Sequence, residues 1–333
     1  MSRIKIVMDA FGGDNAPLEV LRGARLAVDE LDVDIVLCGI ETQIREVAAA
    51  NGVPIGDMSV LHAESVIPVE EAPSEIMKRY SDSSMAAALR LVAEGGADAF
   101  VSAGSTGAMV VGASMIVKRV KGVKRPAIAT VVPMGTGCYM LIDMGANTEC
   151  RPEMLRQFGI MGSAYMEKVM GIKSPRVGLV NIGAEETKGL ELQREAFALL
   201  KKSPLHFIGN VEARELPLGG CDVAVADGFT GNVILKLTEG MGKMMMNELK
   251  GMLLSGTRNK IAAGMLKSEL TGFKKKFDYT EYGGAPLMGI ARPVIKAHGS
   301  SNANAFKNAV RQAKMVCEQH VIDEIEQAIA GLD

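Results

Sequence analysis

Four runs of β-branched and aliphatic residues each end in a short polar or glycine-rich turn, after which apolar positions recur every three or four residues. The turns are Asp9–Asn15, Ser102–Ala108, Asn181–Gly189 and Asp227–Asn232. A strand that stops at such a turn and passes into a helix presents backbone N–H groups at the helix N-terminus, the usual cradle for phosphate and similar anions. Tight turns also need glycine for purely conformational reasons, so one such turn says little. Four in equivalent positions predict a shared cleft.

The remaining pattern predicts strands at Ile4–Met8, Ile35–Cys38, Ala99–Ser102, Val177–Ile182, His206–Val211, Val223–Ala226 and Val294–Ala297. Between them, helical spacing covers Val20, Leu21, Ala24, Ala27 and Val28 behind Pro17, then Ile44–Ala50. Further helices are expected through Leu89–Ala93 behind Ser83 or Ser84, and over Gly107–Val117, Leu155–Met170 and Leu190–Leu200. A long final helix is expected from about Ala303 to Ala330. Continuous apolar strands alternating with helices predict a parallel sheet covered on both faces. Ala127–Val132 and Cys138–Asp143, separated by Pro-Met-Gly-Thr-Gly, predict a hairpin that serves as an arm, extending the sheet or pairing with a second subunit. No fixed-period repeat interrupts this, so residues 1–333 are read as one continuous α/β fold.

Composition refines the picture. The chain has 333 residues, 48% of them hydrophobic, no Trp, 4% aromatics and 22 Met, so the core is aliphatic and adaptable. A net charge of −2 gives no argument for nucleic acid. Five widely spaced cysteines without a Cys-x-x-Cys pair predict a reducing, cytosolic compartment with no disulfide or zinc framework. The N-terminus enters a strand-like run directly, so neither a secretory signal nor a transmembrane helix is expected.

One segment departs in charge. From Lys243 to Lys276 there are eight basic and two acidic residues, +6 in all, which leaves −8 for the rest. Ala262, Leu266, Leu270, Phe273 and Phe277 fall on one helical face, behind an oily stretch from Met244 to Leu254. The plain alternative is a stripe packed on the core with solvated lysines. Such a segment suits an anionic membrane or an acidic protein partner; the expectation adopted is a basic amphipathic helical insertion at 241–277, exposed as a hairpin, with Met252, Leu253, Leu254, Leu266 and Leu270 touching an anionic membrane surface and Arg258 and Lys260 open to an acidic partner.

Chemistry is narrowed by what is missing. There is no Gly-x-Ser-x-Gly elbow, no His-Glu-x-x-His or EF-hand spacing among the four histidines, and no Gly-x-Gly-x-x-Gly fingerprint. Asp9, Asp143 and Asp227 end strands and could meet at a cation, but such aspartates more often cap helices or orient a lysine, and no metal or cofactor is expected. What remains is a donor set suited to an oxyanion or phosphate: Ser105, Thr106, Thr230, Asn232, Lys188, Lys296 and His298. Each has a structural alternative. Ser105 and Thr230 could be N-caps, Lys188 a solvated loop lysine, Asn232 a tie within its own turn, His298 a structural donor and Cys150 a small buried hydrophobe.

Together, Val7–Asp14, Ser102–Ala108, Ile142–Asn147, Phe207–Arg214, Asp227–Asn232, Tyr282–Ala285 and Ile295–Ser301 resemble the bacterial phosphate acyltransferases of phospholipid synthesis, in family order and over nearly the whole chain. The resemblance implies a three-layer α/β/α Rossmann-like fold similar to phosphotransacetylase and the isocitrate and isopropylmalate dehydrogenases. It implies transfer of a fatty acyl chain from acyl carrier protein to inorganic phosphate, giving acyl phosphate for the membrane glycerol-3-phosphate acyltransferase. It further implies a cytoplasmic homodimer held peripherally at the inner face of the cell membrane. By the same resemblance Lys188 and Asn232 are placed at the catalytic centre, with Thr230 and the Gly228–Gly231 backbone as further anion donors. Ser105, Thr106, Lys296 and His298 are candidates for phosphate or pantetheine contact, and the Asp9–Asn15 turn is expected to line the cleft. A phosphotransacetylase acting on acyl-CoA would share the phosphate site but not need the basic segment. A non-catalytic membrane scaffold would not need the polar turns, and a metal-dependent decarboxylating dehydrogenase lacks its motifs.

Overall fold

The computed structural model describes residues 3–135, 137–276 and 283–332, the side chains of 274–276 excepted. Phe277 and Tyr282, invoked above, lie outside the described residues. The strands are β1 (Ile4–Asp9), β2 (Val33–Gly39), β3 (Ser59–His62), β4 (Ala99–Ser102), β5 (Ala127–Met134), β6 (Gly137–Ile142), β7 (Val177–Asn181), β8 (Phe207–Glu212), β9 (Val223–Val225), β10 (Ala285–Met288) and β11 (Val294–Lys296). The helices are α1 (Leu18–Leu31), α2 (Glu41–Ala50), α3 (Ser84–Ala93), α4 (Thr106–Gly112), α5 (Pro152–Lys168), α6 (Glu191–Lys201), α7 (Gly228–Leu254), α8 (Thr257–Met265), α9 (Lys267–Lys276), α10 (Ala303–Glu318) and α11 (Val321–Ala330).

The strands form one 11-stranded sheet in the order β3-β2-β1-β4-β11-β10-β5-β6-β9-β7-β8. The sheet is mixed: the parallel strands expected from the alternation form two halves, and the expected hairpin lies between them. β3, β2, β1, β4 and β11 are mutually parallel, as are β6, β9, β7 and β8. Three antiparallel pairings, β11 with β10, β10 with β5 and β5 with β6, join the two parallel halves with opposite polarity. The β5–β6 hairpin is therefore no arm. It sits at mid-sheet, where its alternate residues pack into cores on both faces.

Alternation along β1 explains the layering. Ile6 and Met8 pack with α1 and α10 on one face, while Val7 faces α3 and α4 on the other. In the second half, Val177 and Leu179 pack under α5 and α11, with Val180 and Val211 opposite. The expected final helix is two: α10 ends at Glu318 and the chain turns at His320, a left-handed residue at φ 51°, before α11.

The basic segment also differs from expectation. α7 begins in the Asp227 turn and runs unbroken for 27 residues, so the arm grows out of the cleft and not from residue 241. Only Gly228 and Gly231 of α7 are buried, and no residue of α8 is. Ala262, Leu266, Leu270 and Phe273 do not share one helix, because the chain breaks at Leu266 between α8 and α9. Phe229, Val233, Leu237, Met241, Met244 and Met252 stay exposed at mostly three- and four-residue intervals along α7. The alternative of a stripe buried on the core is excluded for these positions.

Candidate active site

A cavity of about 580 Å³ opens over the middle of the sheet, where strand polarity reverses. Its floor is Ile128 and Thr130 of β5 and Ala285 of β10. One wall is α4, through Thr106, Gly107, Val110 and Val111; the other is α7, through Asn232, Leu235, Lys236 and Glu239. Lys296, Ala297, His298, Gly299 and Ser301 close one end, and Met144, Gly145 and Ala146 another stretch of the rim. Four of the expected donors, Thr106, Asn232, Lys296 and His298, are thereby brought to one cavity from three distant parts of the chain.

Lys296 is the best defined of them. Its ammonium donates to the carbonyl oxygens of Ala103, at 3.0 Å, and Ala297. Burial lowers its pKa from 10.5 to about 8, opposed by the nearby carboxylates of Asp14 and Asp9. At neutral pH it is a desolvated cation, the form best suited to holding an anion. His298 Nδ1 accepts from the Ser300 backbone N–H at 3.2 Å and lies 2.9 Å from Ser300 Oγ. Acceptance at Nδ1 leaves the ring proton of the neutral form on Nε2.

Asn232 lies one turn into α7 beside Gly145, where a Cβ would fall 3.1 Å from Asn232 Nδ2. The turn carrying Gly145 is wrapped around Asp143, whose carboxylate accepts from the backbone N–H groups of Ile128, Gly145, Ala146 and Asn147 and from the Asn147 amide. Burial raises the Asp143 pKa and these bonds oppose that. α7 presses on the same turn: a Cβ at Gly231 would lie 1.9 Å from the Asp143 carbonyl oxygen. Only glycine allows that approach.

Other candidates are placed elsewhere. The Asp227 carboxylate caps α7, accepting from the Thr230 N–H at 2.9 Å and the Thr230 hydroxyl at 2.8 Å. Gly228 N–H donates to the Asn147 carbonyl at 2.7 Å, and Gly231 N–H to the Asp227 carbonyl at 2.9 Å. Those donors are spent on the fold, so Thr230, Gly228 and Gly231 do not form the expected anion cradle. Ser105 is the buried N-cap of α4, accepting from the Ala108 N–H, and stands behind Thr106 without lining the cavity. No residue of the Asp9–Asn15 turn lines it either. Among the described residues no three of His, Cys, Asp and Glu come together as a metal site would require.

Lys188 is not in the cavity. It sits on the loop after β7, beside the β9 turn in the sheet, with its side chain 47% exposed and its ammonium 3.9 Å from Glu185. The loop is pinned by Asn181 Nδ2 donating to the Lys188 carbonyl and Asn210 Nδ2 donating to the Glu185 carbonyl. The structure thus places Asn232 on the cavity wall and Lys188 outside it. Sequence reasoning missed Val110, Val111, Lys236 and Glu239, although Lys236 and Glu239 follow Asn232 at i+4 and i+7 and Val110 follows Thr106 at i+4. Lys236 and Glu239 pair with each other at 2.8 Å, whereas Lys296 Nζ binds two backbone carbonyls.

No cysteine lines the cavity. For Cys150, burial pushes the thiol up to about 12, far from the thiolate a nucleophile needs. The site therefore offers anion donors beside an apolar wall of Val110, Val111, Ile128, Met144 and Leu235. That arrangement suits a reaction whose nucleophile is itself a bound anion.

A family described as "Fatty acid synthesis protein" matches residues 4–324. A phosphate acyltransferase from Alkaliphilus oremlandii (strain OhILAs) is 49% identical over 329 residues, covering 99% of this chain and 98% of the relative. Another from Desulforamulus reducens is 47% identical over 327 residues, covering 98% and 97%. Among solved structures, a phosphotransacetylase from Streptococcus pyogenes superposes with TM-score 0.66 at 18% identity, covering 95% of this chain and 94% of that one. A 4-hydroxythreonine-4-phosphate dehydrogenase from Klebsiella pneumoniae superposes with TM-score 0.52 at 13% identity, covering 96% and 100%. At such identities the likeness speaks for the fold.

Proposed function

The chain belongs to the bacterial phosphate acyltransferases, and from that membership we propose that it transfers a fatty acyl group from the thioester of acyl carrier protein to inorganic phosphate. The product is acyl phosphate, consumed in glycerophospholipid synthesis by the membrane glycerol-3-phosphate acyltransferase. One observation carries this reading: Lys296, Thr106, Asn232 and His298 converge on a cavity that has an apolar wall and no cysteine.

In this reading a phosphate oxygen attacks the thioester carbonyl carbon, forming the C–O bond and a tetrahedral oxyanion whose collapse breaks the C–S bond. The carrier leaves as thiolate and takes up the proton that monohydrogen phosphate gives up, so no group on the enzyme changes charge overall. Lys296 and the Thr106 end of α4 hold phosphate, the His298 Nε2–H donates to it, and Asn232 donates to the carbonyl oxygen as it becomes an oxyanion. Lys188, on the neighbouring loop, is assigned to the carrier side of the cleft, where its ammonium meets the developing charge once the thioester is seated.

The arm supplies the setting. No helix of the described residues is long and apolar enough to cross a membrane, but Met252, Leu254 and Leu266 are exposed among the basic residues. Burying such a side chain contributes roughly 1.5–3 kcal/mol, and each basic residue near an anionic surface about 1 kcal/mol. A few of each suffice for reversible binding. We place the protein as a homodimer at the inner face of the cell membrane, with Arg258 and Lys260 available to the acidic helix of the carrier.

The test is phosphate-dependent loss of acyl carrier thioester, with the acyl phosphate trapped by hydroxylamine, in wild type and Asn232→Ala. Acyl-CoA added as a competing donor separates this reading from a phosphotransacetylase. Thioester loss that ignores phosphate would refute it.

A further inference from the structure

The Asp9 carboxylate is buried and reaches two elements at once. Oδ1 accepts from Ser84 Oγ at 2.7 Å and Oδ2 from Ser102 Oγ at 2.8 Å. Ser102 Oγ in turn accepts from the Gly104 N–H at 2.9 Å, so Asp9, Ser102 and Gly104 form a chain that shapes the turn leading into α4. The fit is close, because a Cβ at Gly12 would fall 2.5 Å from Ser102 Oγ and 2.7 Å from the Gly104 nitrogen. The next residue of that turn, Ala103, offers the carbonyl that receives Lys296 Nζ. The same first turn also holds the other cavity end: Asp14 N–H donates to the Gly299 carbonyl at 2.8 Å, and Asn15 Nδ2 lies 3.4 Å from the Ser300 and Ser301 carbonyls.

We propose that Asp9, which does not touch the cavity, is the positioning residue of its anion end: through Ser102 it fixes the turn that presents Thr106 and anchors Lys296. Two of the four turns thus divide their labour with the segment that carries Lys296. The Ser102 and Lys296 turns face the ligand, and the Asp9 turn is the scaffold behind both. A buried carboxylate is costly unless its bonds are satisfied, and burial raises the Asp9 pKa against the three donors that lower it. A leucine-like residue would fill the space more cheaply. The cost is offset by the geometry it imposes and by the negative charge it sets near the Lys296 ammonium.

The titratable groups around Lys296 are Asp9 on β1, Asp14 in the following turn, His298 on its own segment, and Lys236 with Glu239 across the cavity on α7. α4 and α10 present no charged side chain to the cavity. Removing the Asp9 charge therefore lowers the pH at which Lys296 loses its proton, a change that loosened packing alone would not produce.

This inference rests on the phosphate reading of the cavity, and its test separates the two. Inorganic phosphate binding is measured by titration calorimetry across pH 6–9 for wild type, Asp9→Asn and Ser102→Ala, with thermal melts on each. Asp9→Asn is expected to bind phosphate on the order of tenfold more weakly, with the alkaline limb of binding moved to lower pH. Ser102→Ala is expected to weaken binding without moving that limb, and it decides the matter if Asp9→Asn does not fold. Wild type that binds phosphate while the folded variants bind it equally well overturns the positioning role and leaves the function standing. Wild type that binds no phosphate overturns both.

Discussion

Lys296 Nζ donates to the Ala103 carbonyl at 3.0 Å, joining β11 to the turn before α4 across 193 positions of sequence. The bond explains how an ammonium can stand at the end of an apolar strand and still point at the cavity. Its depressed pKa has a sign that can be followed. Because the folded value, about 8, lies below the ordinary 10.5, the unfolded chain binds more protons between those limits. The cost of burying the charge is present in full below about pH 8 and is gone above 10.5. Lys296→Met is therefore expected to melt no lower than wild type at pH 7, while KM for phosphate rises about tenfold or more. Wild-type turnover should fall as pH rises past about 8. An unchanged KM would remove Lys296 from the phosphate site.

The acyl wall gives a second expectation. Val110 and Val111 lie one turn along α4 from Thr106 and face Leu235 across the cavity mouth formed with α7. Val111→Phe should reduce kcat/KM for long-chain donors about tenfold relative to short ones, with KM for phosphate unchanged. A uniform loss across chain lengths would place the acyl group elsewhere.

How much of this was legible in the sequence depends on whether the signal is local. The strands that end in polar turns were read to within a residue or so, since each is a continuous apolar run bounded by turn chemistry. β3 and β10 were missed: Ser59–His62 is a short, half-exposed strand, and Ala285–Met288 carries a proline that argues against a strand. The reversal of polarity between the two parallel halves was not legible, because it follows from where the chain crosses, which no local pattern encodes. The break at His320 was invisible because a left-handed residue there is not glycine. At the site, Thr106, Asn232, Lys296 and His298 were recognisable as donors at strand ends. The fates of Thr230 and Ser105 were not, since a hydroxyl that caps its helix, as Ser105 does, or donates to the capping carboxylate, as Thr230 does to Asp227, occupies the same kind of sequence position as one that meets a ligand.

The arm makes a separable prediction. Leu254→Glu and Leu266→Glu put charge on side chains that are 48% and 49% exposed, so neither should disturb the core. Both are expected to pellet less with anionic vesicles than wild type does, with thioester turnover in solution preserved. Equal pelleting of all three proteins would exclude membrane contact through these residues.

Lys188 is the sharpest point of tension between sequence and structure, being half-exposed on the loop after β7 and outside the cavity. Lys188→Ala is expected to abolish acyl phosphate formation and leave phosphate affinity and the melting temperature unchanged, as befits a group that acts on the thioester. Full turnover with normal phosphate dependence would return Lys188 to the status of a solvated lysine.

The most direct test of the central claim follows the oxygens. Acyl carrier thioester is incubated with the protein and phosphate labelled with oxygen-18 at every position, and the acyl phosphate is analysed by mass spectrometry. If bound phosphate attacks the carbonyl, the product retains every labelled oxygen and its formation ceases in Asn232→Ala. Unlabelled fatty acid released at the same rate without phosphate, or an acyl group left covalently on the protein, would contradict the account.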